Sequence, residues 1–247
     1  MSRTDFRRWN EVVDSVSNAV EMLGSPSTIW YRGVPSTKHS LTPSLLRYRN
    51  GIEKERELYD RYDQWARGMS DASVEHSGGD WTILFNMQHF GVPTRLLDWT
   101  EVFGVAVFFA LLDSQTGDSA LYVLDPIALN RKIGKQDLIE DWHNDRYSYK
   151  KIFWHSDPFM PNIPMALNPR HENYRLRAQR GRFTIHGTQL QPLDIQVPDC
   201  VQRVVLPERA KEGALAFLRL SGINEFSAFP DVFGAAPFLK KMVGLVT

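Results

Sequence analysis

Cysteine is almost absent from this chain of 247 residues, which has only Cys200. A single cysteine excludes an internal disulfide and any zinc site that needs several cysteines. A reducing compartment is therefore the simplest expectation. Cys200 lies among apolar residues in DCVQRVVLP, and free cysteine is most often a small core residue. We predict a buried, inert thiol rather than a nucleophile.

An excess of either charge is also missing. The 29 lysines and arginines balance the 29 aspartates and glutamates, so the formal net charge is zero. A neutral chain has no global field that would attract nucleic acid or an anionic membrane. A local basic patch stays open, because arginines cluster in places.

Long hydrophobic runs are lacking as well. The longest, VFGVAVFFALL, has eleven residues, whereas a membrane-spanning helix needs about twenty. The N-terminal stretch MSRTDFRRWNEVVDSV is amphipathic and has no apolar core of a signal peptide. These features predict a soluble, cytoplasmic protein that does not bind membranes.

Several motifs of common enzymes are not found. The seven histidines form no HExxH pair, and none lies with carboxylates at metal-ligand spacing. There is no GxGxxG after a strand, no GxxxxGK[ST] and no GxSxG. We therefore expect no metal centre, no Rossmann or P-loop nucleotide site and no α/β-hydrolase nucleophile.

Periodicity predicts a single α+β domain over residues 1–247. Apolar residues at three-and-four spacing indicate an N-terminal helix over about 5–23, and similar patterns predict further helices. The segments TIWYRG, SALYVLD, GRFTIHG and CVQRVVL are typical of strands. With no internal repeat and no dividing linker, we expect a small mixed or antiparallel sheet surrounded by helices.

The segment from about 140 to 170 has a different composition. It contains four prolines and six aromatic residues among charges, and prolines exclude long helices. We interpret it as an arm or insertion that packs over the domain, recognises a macromolecular target or closes over a site.

The predicted strand TIWYRG ends in Tyr31, Arg32 and Gly33. An arginine flanked by aromatic residues is expected to be partly buried, and a buried guanidinium needs an acid, a phosphate or several carbonyls. Two interpretations stay open: Arg32 binds an anionic ligand, or it forms a structural pair with Asp98 or another acid.

Polar residues crowd the stretch QHFGVPTRLLDWT, residues 88–100, directly before the most apolar segment. Pro93 ends the preceding helix, and Thr94 could cap the element that follows. Arg95 and Asp98, three residues apart, could pair locally under Trp99. The polar groups either staple a turn to the core or form the wall of a small pocket.

The stretch RLRAQRGRF, residues 175–183, places Gln179 just before a predicted strand, with Gly181 marking a sharp backbone change. Its arginines at 175, 177, 180 and 182 leave open a nucleic-acid surface, although a solvated basic face is commoner.

Together these stretches resemble the FRG domain, a bacterial and phage-associated family named for a Phe-Arg-Gly motif. Here the motif is Tyr31-Arg32-Gly33. The stretches LTPSLLR at 41–47, QHFGVPTRLLDWT, RLRAQRGRF and LSGINEFSAFPD at 220–231 follow in the family's order, as does the apolar helix at 105–111.

The resemblance implies a relation to ADP-ribosyltransferases, in which an aromatic-Arg-Gly strand end positions NAD. It implies Arg32, Asp98 and Gln179 as catalytic residues. The expected NAD-binding residues are Tyr31, Gly33, Gln88, His89, Arg95, Thr100 and Arg175. Thr94 is an alternative to Thr100 beside the ribose.

One departure from the family's pattern bears on the chemistry. Gln179 stands where transferases of this kind carry a glutamate, so the acid must come from Asp98, or from Glu101 or Glu172 behind it, or the chemistry has been lost. Cleaving nicotinamide from NAD leaves positive charge on the ribose, which a carboxylate stabilises and an amide does not.

Three functions remain possible from the sequence. The first is an NAD-consuming, ADP-ribosyltransferase-like effector of a toxin or phage-defence system, with a macromolecular acceptor. The second is a non-catalytic module that binds a nucleotide-like ligand or a protein. The third is nucleic-acid binding or cleavage through the arginines of residues 175–182.

Overall fold

A computed structural model describes residues 3–66, 68, 79–112, 114, 116–134, 148–157, 159–169, 174–230 and 232–245. The helices within these ranges are α1 (Arg3–Met22), α2 (Gly51–Ala66), α3 (Gly79–His89), α4 (Phe103–Leu111), α5 (Pro126–Lys132), α6 (Tyr149–His155), α7 (Tyr174–Gln179), α8 (Leu193–Gln196), α9 (Lys211–Leu220), α10 (Glu225–Ala228) and α11 (Val232–Met242). Short 3-10 helices span Ser44–Arg47, Pro198–Cys200 and Glu208–Ala210.

Six strands form one open antiparallel sheet. They are β1 (Trp30–Val34), β2 (Leu96–Thr100), β3 (Ser119–Leu124), β4 (Met165–Leu167), β5 (Gly181–Ile185) and β6 (Val201–Leu206). Their order across the sheet is β4-β5-β2-β1-β3-β6, and every neighbouring pair is antiparallel. The predicted α+β class with an antiparallel sheet is confirmed.

The two central strands are joined less extensively than the strands on either side. β1 is in register with β3 from Trp30 to Val34, and β2 is in register with β5 from Leu96 to Thr100. Between β1 and β2, both fully described, the register consists of the single pair Tyr31–Thr100. The sheet therefore has two halves that are joined at one residue pair.

Helix α1 confirms the predicted N-terminal helix. Trp9, Val12 and Val16 recur at the spacing of one helical face, and all three are buried in the apolar cluster that covers β3, β6 and α9. The opposite face carries the charged residues. This burial anchors the helix, since tertiary packing stabilises most helices more than intrinsic propensity does.

Helix α4 is apolar on all sides, as expected for a central helix, and it crosses β1 at very short range. A Cβ on Gly33 would lie 1.8 Å from the carbonyl oxygen of Ala106 and 2.6 Å from the amide nitrogen of Ala110. No side chain fits into that gap. Glycine at position 33 is therefore required for the packing of α4 against the sheet.

The segment predicted as an arm or insertion over about 140–170 is described at residues 148–157 and 159–169, while residues 140–147, 158 and 170 lie outside the description. Tyr149, Ile152 and Phe153 of α6 are buried in a second apolar cluster with Tyr59 and Trp81. The described prolines Pro161, Pro164 and Pro169 follow this short helix. Most of the aromatic residues described in this segment are core residues, so they are not free to recognise a target.

Two strands were not predicted from the sequence. β2 occupies the polar stretch that was expected to lead directly into α4, and β4 is a three-residue edge strand in the proline-rich segment. The sharp backbone change predicted at Gly181 lies one residue earlier, at Arg180, whose φ is +44°. No helix in the described residues is both long and apolar enough to cross a bilayer.

Candidate ligand-binding cavity

A cavity of about 200 Å³ opens between the central strands, α3, α4 and the α7–β5 connection. Nine residues predicted from the sequence line it: Tyr31, Arg32, Gly33, Gln88, His89, Asp98, Thr100, Arg175 and Gln179. Segments separated by more than a hundred residues therefore meet at one place. Of the predicted site residues, Arg95 alone is not among the residues that line this cavity.

Arg32 lines the cavity, and its guanidinium contacts strand β2. Alternation along β1 places its Cβ on the same face as Trp30, opposite to Tyr31 and Gly33. Its Nη1 nevertheless donates to the backbone oxygen of Asp98.

The guanidinium of Arg32 is incompletely paired within the described structure. Its Nη1 lies 3.7 Å from Oδ2 of Asp98, whereas its buried Nε has no hydrogen-bond partner. Burial lowers the pKa of Arg32 from its usual value, although the charge of Asp98 opposes that shift. A buried donor without a partner is costly, and here it belongs to a residue that lines the cavity.

Asp98 presents an accessible carboxylate in the wall of the cavity, with 57% of its side chain exposed. Nε2 of Gln88 donates to its Oδ2 over 2.7 Å. Gln88 is itself held by Thr94, whose hydroxyl donates to Oε1 of Gln88 over 2.5 Å. Thr94 is buried and is not among the residues that line the cavity, so it acts behind the wall.

Thr100 and Gln179 join β2 to α7. The Thr100 hydroxyl donates to the backbone oxygen of Gln179 over 2.5 Å and accepts from the amide of Val102 at 3.0 Å. The side-chain Nε2 of Gln179 donates to the backbone oxygen of Ala228 over 2.8 Å. These bonds fix both residues in place, and their predicted contacts with a ribose or nicotinamide stay predictions.

Arginines of the α7–β5 connection are held by contacts within the fold. The Arg175 guanidinium stacks 4.4 Å from the ring centroid of Phe229. Arg182, which also lines the cavity, pairs with Glu101 at 2.9 Å. These contacts rigidify the cavity and neutralise part of its positive charge.

Arg95 corrects two predictions. It does not pair with Asp98, because the extended chain from residue 95 to residue 98 places them on opposite faces. Its Nε instead lies 2.6 Å from Oε1 of Glu55 in a pair whose side chains are 5% and 7% exposed. Its Nη1 donates to the Gly187 oxygen, so Arg95 is a structural residue and not a cofactor ligand.

This buried pair shifts the ionisation of the groups around it. Burial alone would lower the pKa of Arg95, but the hydrogen bonds and charge of Glu55 raise it above the usual value. Tyr149, which donates to Glu55, has its pKa raised well above 10 by burial and by the charge of Glu55. The three residues form a hydrogen-bonded cluster around the carboxylate of Glu55.

His186 lies next to this cluster and is fully buried. Burial lowers its pKa to about 4, so the ring is neutral at pH 7. Nε2 lies 3.2 Å from the Gln191 oxygen, while Nδ1 has no partner among the described residues.

Cys200 is buried, as predicted, and burial raises its pKa to about 11. A neutral thiol in the core is unreactive. Among the described residues no group of three or more potential metal ligands is present.

Comparison with known families agrees with the motifs that line the cavity. Residues 27–119 match the model of the FRG domain. The chain contains an FRG domain. Neither a curated protein nor a solved structure matches the chain.

The FRG domain supplies one side of the cavity and the rest of the chain supplies the other. Arg32, Gln88 and Asp98 lie within the matched residues, whereas Arg175 and Gln179 come from α7, beyond the match. Strands β4, β5 and β6 also lie beyond it. The FRG domain is thus completed by later elements in both the sheet and the cavity.

Apolar wall residues were not identified from the sequence. They include Phe85 and Phe183, whose rings stack with centroids 5.1 Å apart, and also Trp99 and Phe109. Their spacing is that of ordinary core residues, which gives no signal of a cavity. Glu55 was missed because its charged neighbours in α2, Lys54, Arg56 and Glu57, are exposed.

Proposed function

We propose that the cavity binds NAD or a closely related nucleotide and cleaves its nicotinamide–ribose bond. The single observation that supports this most strongly is the unpartnered, buried Nε of Arg32 beside an accessible carboxylate. An arginine with an unused donor suits a phosphate or a ribose oxygen. A carboxylate at the same wall suits a reaction centre that becomes positive.

Asp98 takes the catalytic role in this proposal. As nicotinamide leaves, the ribose acquires oxocarbenium character, and a fixed negative charge stabilises that state more than the ground state. Gln179 is neutral and its amide nitrogen is engaged with Ala228. Glu101 is paired with Arg182, and Glu172 lies outside the described residues.

The size of the cavity limits how the ligand would be bound. Typical ligand pockets enclose roughly 300–1,000 Å³, and this cavity has about 200 Å³. It therefore suits one portion of a dinucleotide, with the remainder lying along the surface. Arg32 would meet the part nearest the reacting ribose.

An enzyme that consumes NAD would act in the cytoplasm as an effector of a toxin or phage-defence system. That setting belongs to the proposal and comes from the resemblance of the motifs. The acceptor of the ADP-ribosyl group would be water or a macromolecule.

One observation favours a second function, a non-catalytic binding module. Asp98 is already engaged by Gln88 and lies beside Arg32, and a neutralised carboxylate stabilises less positive charge. In that case the cavity would bind a nucleotide without cleaving it. A nucleic-acid role gains no comparable support, since Arg175 and Arg182 are engaged within the fold.

NAD cleavage releases nicotinamide, whereas a non-catalytic binding module releases none. NAD binding is measured by calorimetry and nicotinamide release by chromatography, for the wild type, Asp98→Asn and Arg32→Gln. We expect Asp98→Asn to reduce release by about a hundredfold, the usual effect of removing one electrostatic group at a reaction centre, while NAD affinity changes only a few-fold. Arg32→Gln should weaken binding itself.

The matched control is Arg203→Gln. Arg203 belongs to the same sheet, in register with Tyr122 on β3, and is not among the residues that line the cavity. It should behave like the wild type in both assays. Binding without release would support the binding module, and no binding of NAD by the wild type would overturn both proposals.

A further inference from the structure

The orientation of the Gln88 side chain is determined by hydrogen bonds that begin in the backbone of β2. The amide N–H of Leu96 donates to the Thr94 hydroxyl over 3.0 Å. That hydroxyl has one proton, and the nearest side-chain acceptor is Oε1 of Gln88 at 2.5 Å. A hydroxyl can accept two hydrogen bonds, so its role as a donor toward Gln88 is decided at the other end of the amide.

The Asp98 carboxylate can only accept hydrogen bonds, so it decides which end of the Gln88 amide faces the cavity. With Oε1 directed at Thr94, the NH₂ group is directed at Asp98, and Nε2 lies 2.7 Å from its Oδ2. The reverse orientation would place Oε1 of Gln88 against Oδ2 of Asp98, two acceptors with no proton between them. The bonds therefore all run in one direction, from Leu96 through Thr94 and Gln88 to the carboxylate.

Thr94 is itself fixed by a neighbouring segment. Its amide donates to the Ser44 hydroxyl over 3.2 Å, and its carbonyl oxygen accepts from the amide of Leu45 at 3.1 Å. Leu45 is buried. The 3-10 helix Ser44–Arg47 thus holds Thr94 in place, which connects the LTPSLLR motif to the cavity.

We infer that Thr94 is a positioning residue, which orients Gln88 so that its NH₂ group holds the Asp98 carboxylate toward the cavity. The hydrogen-bond direction stands independently of any activity, and the consequence for catalysis rests on the proposed function. Thr94 thereby differs from the predicted ribose contact, because it acts through Gln88 and not on the ligand.

The first measurement requires no activity. Hydrogen exchange of the Gln88 side-chain amide is followed by NMR in ¹⁵N-labelled protein, with the signal assigned by its disappearance in Gln88→Met. We expect Thr94→Val, which keeps the shape but removes the hydroxyl, to accelerate exchange about tenfold, in line with the loss of one hydrogen bond. Thr94→Ser should exchange like the wild type.

Ser119→Ala is the control for loss of a buried hydroxyl elsewhere in the sheet, since Ser119 is fully buried and bonded to Pro35. It should leave Gln88 exchange unchanged. Unchanged exchange in Thr94→Val would overturn the inference, and so would acceleration in Ser119→Ala of the same size.

The second measurement tests the consequence for catalysis. Thr94→Val should lower kcat for nicotinamide release about tenfold with little change in KM, Thr94→Ser should restore it, and Gln88→Met should reproduce the loss if Thr94→Val does not fold. If exchange is accelerated in Thr94→Val but the wild type releases no nicotinamide, the orientation of the Gln88 amide is upheld and the proposed function is rejected. Normal kcat in both Thr94→Val and Gln88→Met would reject the positioning role.

Discussion

Arg95 and Arg32 both lie at the central strands of one sheet, and each meets one acid, but the two sites differ in how completely they are paired. Arg95 and Glu55 are buried at 2.6 Å, and Tyr149 and Gly187 satisfy further polar atoms. Arg32 and Asp98 are 3.7 Å apart, with an exposed carboxylate and an unpartnered Nε.

The completeness of pairing distinguishes a structural ion pair from a ligand-binding site. A buried pair that uses its hydrogen-bonding groups internally has little left to offer a ligand, and it costs much to break. A loose pair beside open space keeps both a donor and an acceptor available. Local sequence gives no such distinction, since both arginines lie in stretches that contain apolar residues.

The largest expected effect comes from breaking the buried pair. Glu55→Ala leaves the Arg95 charge buried and unpaired, so we expect a loss of about 3–5 kcal/mol in the free energy of unfolding, measured by urea denaturation. Glu57→Ala, on the exposed face of the same helix, removes the pairs with Lys54 and Arg61 and should cause no resolvable change. Equal losses in the two variants would erase the contrast between buried and exposed pairs.

The pH dependence of the free energy of unfolding tests a second buried group, His186, which lies next to the Arg95–Glu55 pair. The pKa of His186 is about 4 in the folded protein against 6.5 for the free side chain. The unfolded chain therefore binds a proton as the pH falls below 6.5 while the folded protein does not, so stability is full above pH 6.5 and decreases toward pH 4. The total is about 3 kcal/mol.

The His186→Gln variant isolates this contribution from that of the carboxylates. It should be less sensitive to pH between 6.5 and 4 than the wild type, as measured by thermal unfolding at several pH values. His155→Gln removes an exposed histidine and should retain the wild-type slope. Parallel curves for the wild type and His186→Gln would show that His186 is not held neutral.

The smallest effect on stability is expected at the cavity. Arg32→Met removes a half-exposed pair and a buried donor that has no partner, so the free energy of unfolding should change by no more than about 1 kcal/mol. Arg95→Met should cost several times more, because it leaves Glu55 buried and unpaired. A loss in Arg32→Met as large as in Arg95→Met would make Arg32 structural and remove the main support for a ligand.

Local patterns predicted much of the fold. The helices α1 to α4 and α9, and the strands β1, β3, β5 and β6, follow from the periodicity of buried residues. Strand β2 was missed because its face beside the cavity carries the polar residues Asp98 and Thr100. This made the stretch resemble a polar turn, and β4 was too short to show alternation.

The cavity itself was predicted from motif clustering, whereas the partners of its residues were not. The pair Arg95–Glu55 joins positions 40 residues apart, and nothing in the local sequence of either residue indicates the other. The contact of Arg32 with the backbone of Asp98 likewise depends on the register of β1 and β2, which only the assembled sheet defines. Long-range pairing was therefore the part that could not be derived.

The single residue pair between β1 and β2 bears on how ligands of different width could be accommodated. In most sheets, separating two central strands breaks a full ladder of backbone hydrogen bonds. Here Tyr31 and Thr100 form the single register pair. A change in the separation of the two halves would therefore disrupt few backbone hydrogen bonds and would leave the β1–β3 and β2–β5 ladders intact. Substitutions in α4 and α7 would then change the width of the cavity while the strand pairing within each half is kept.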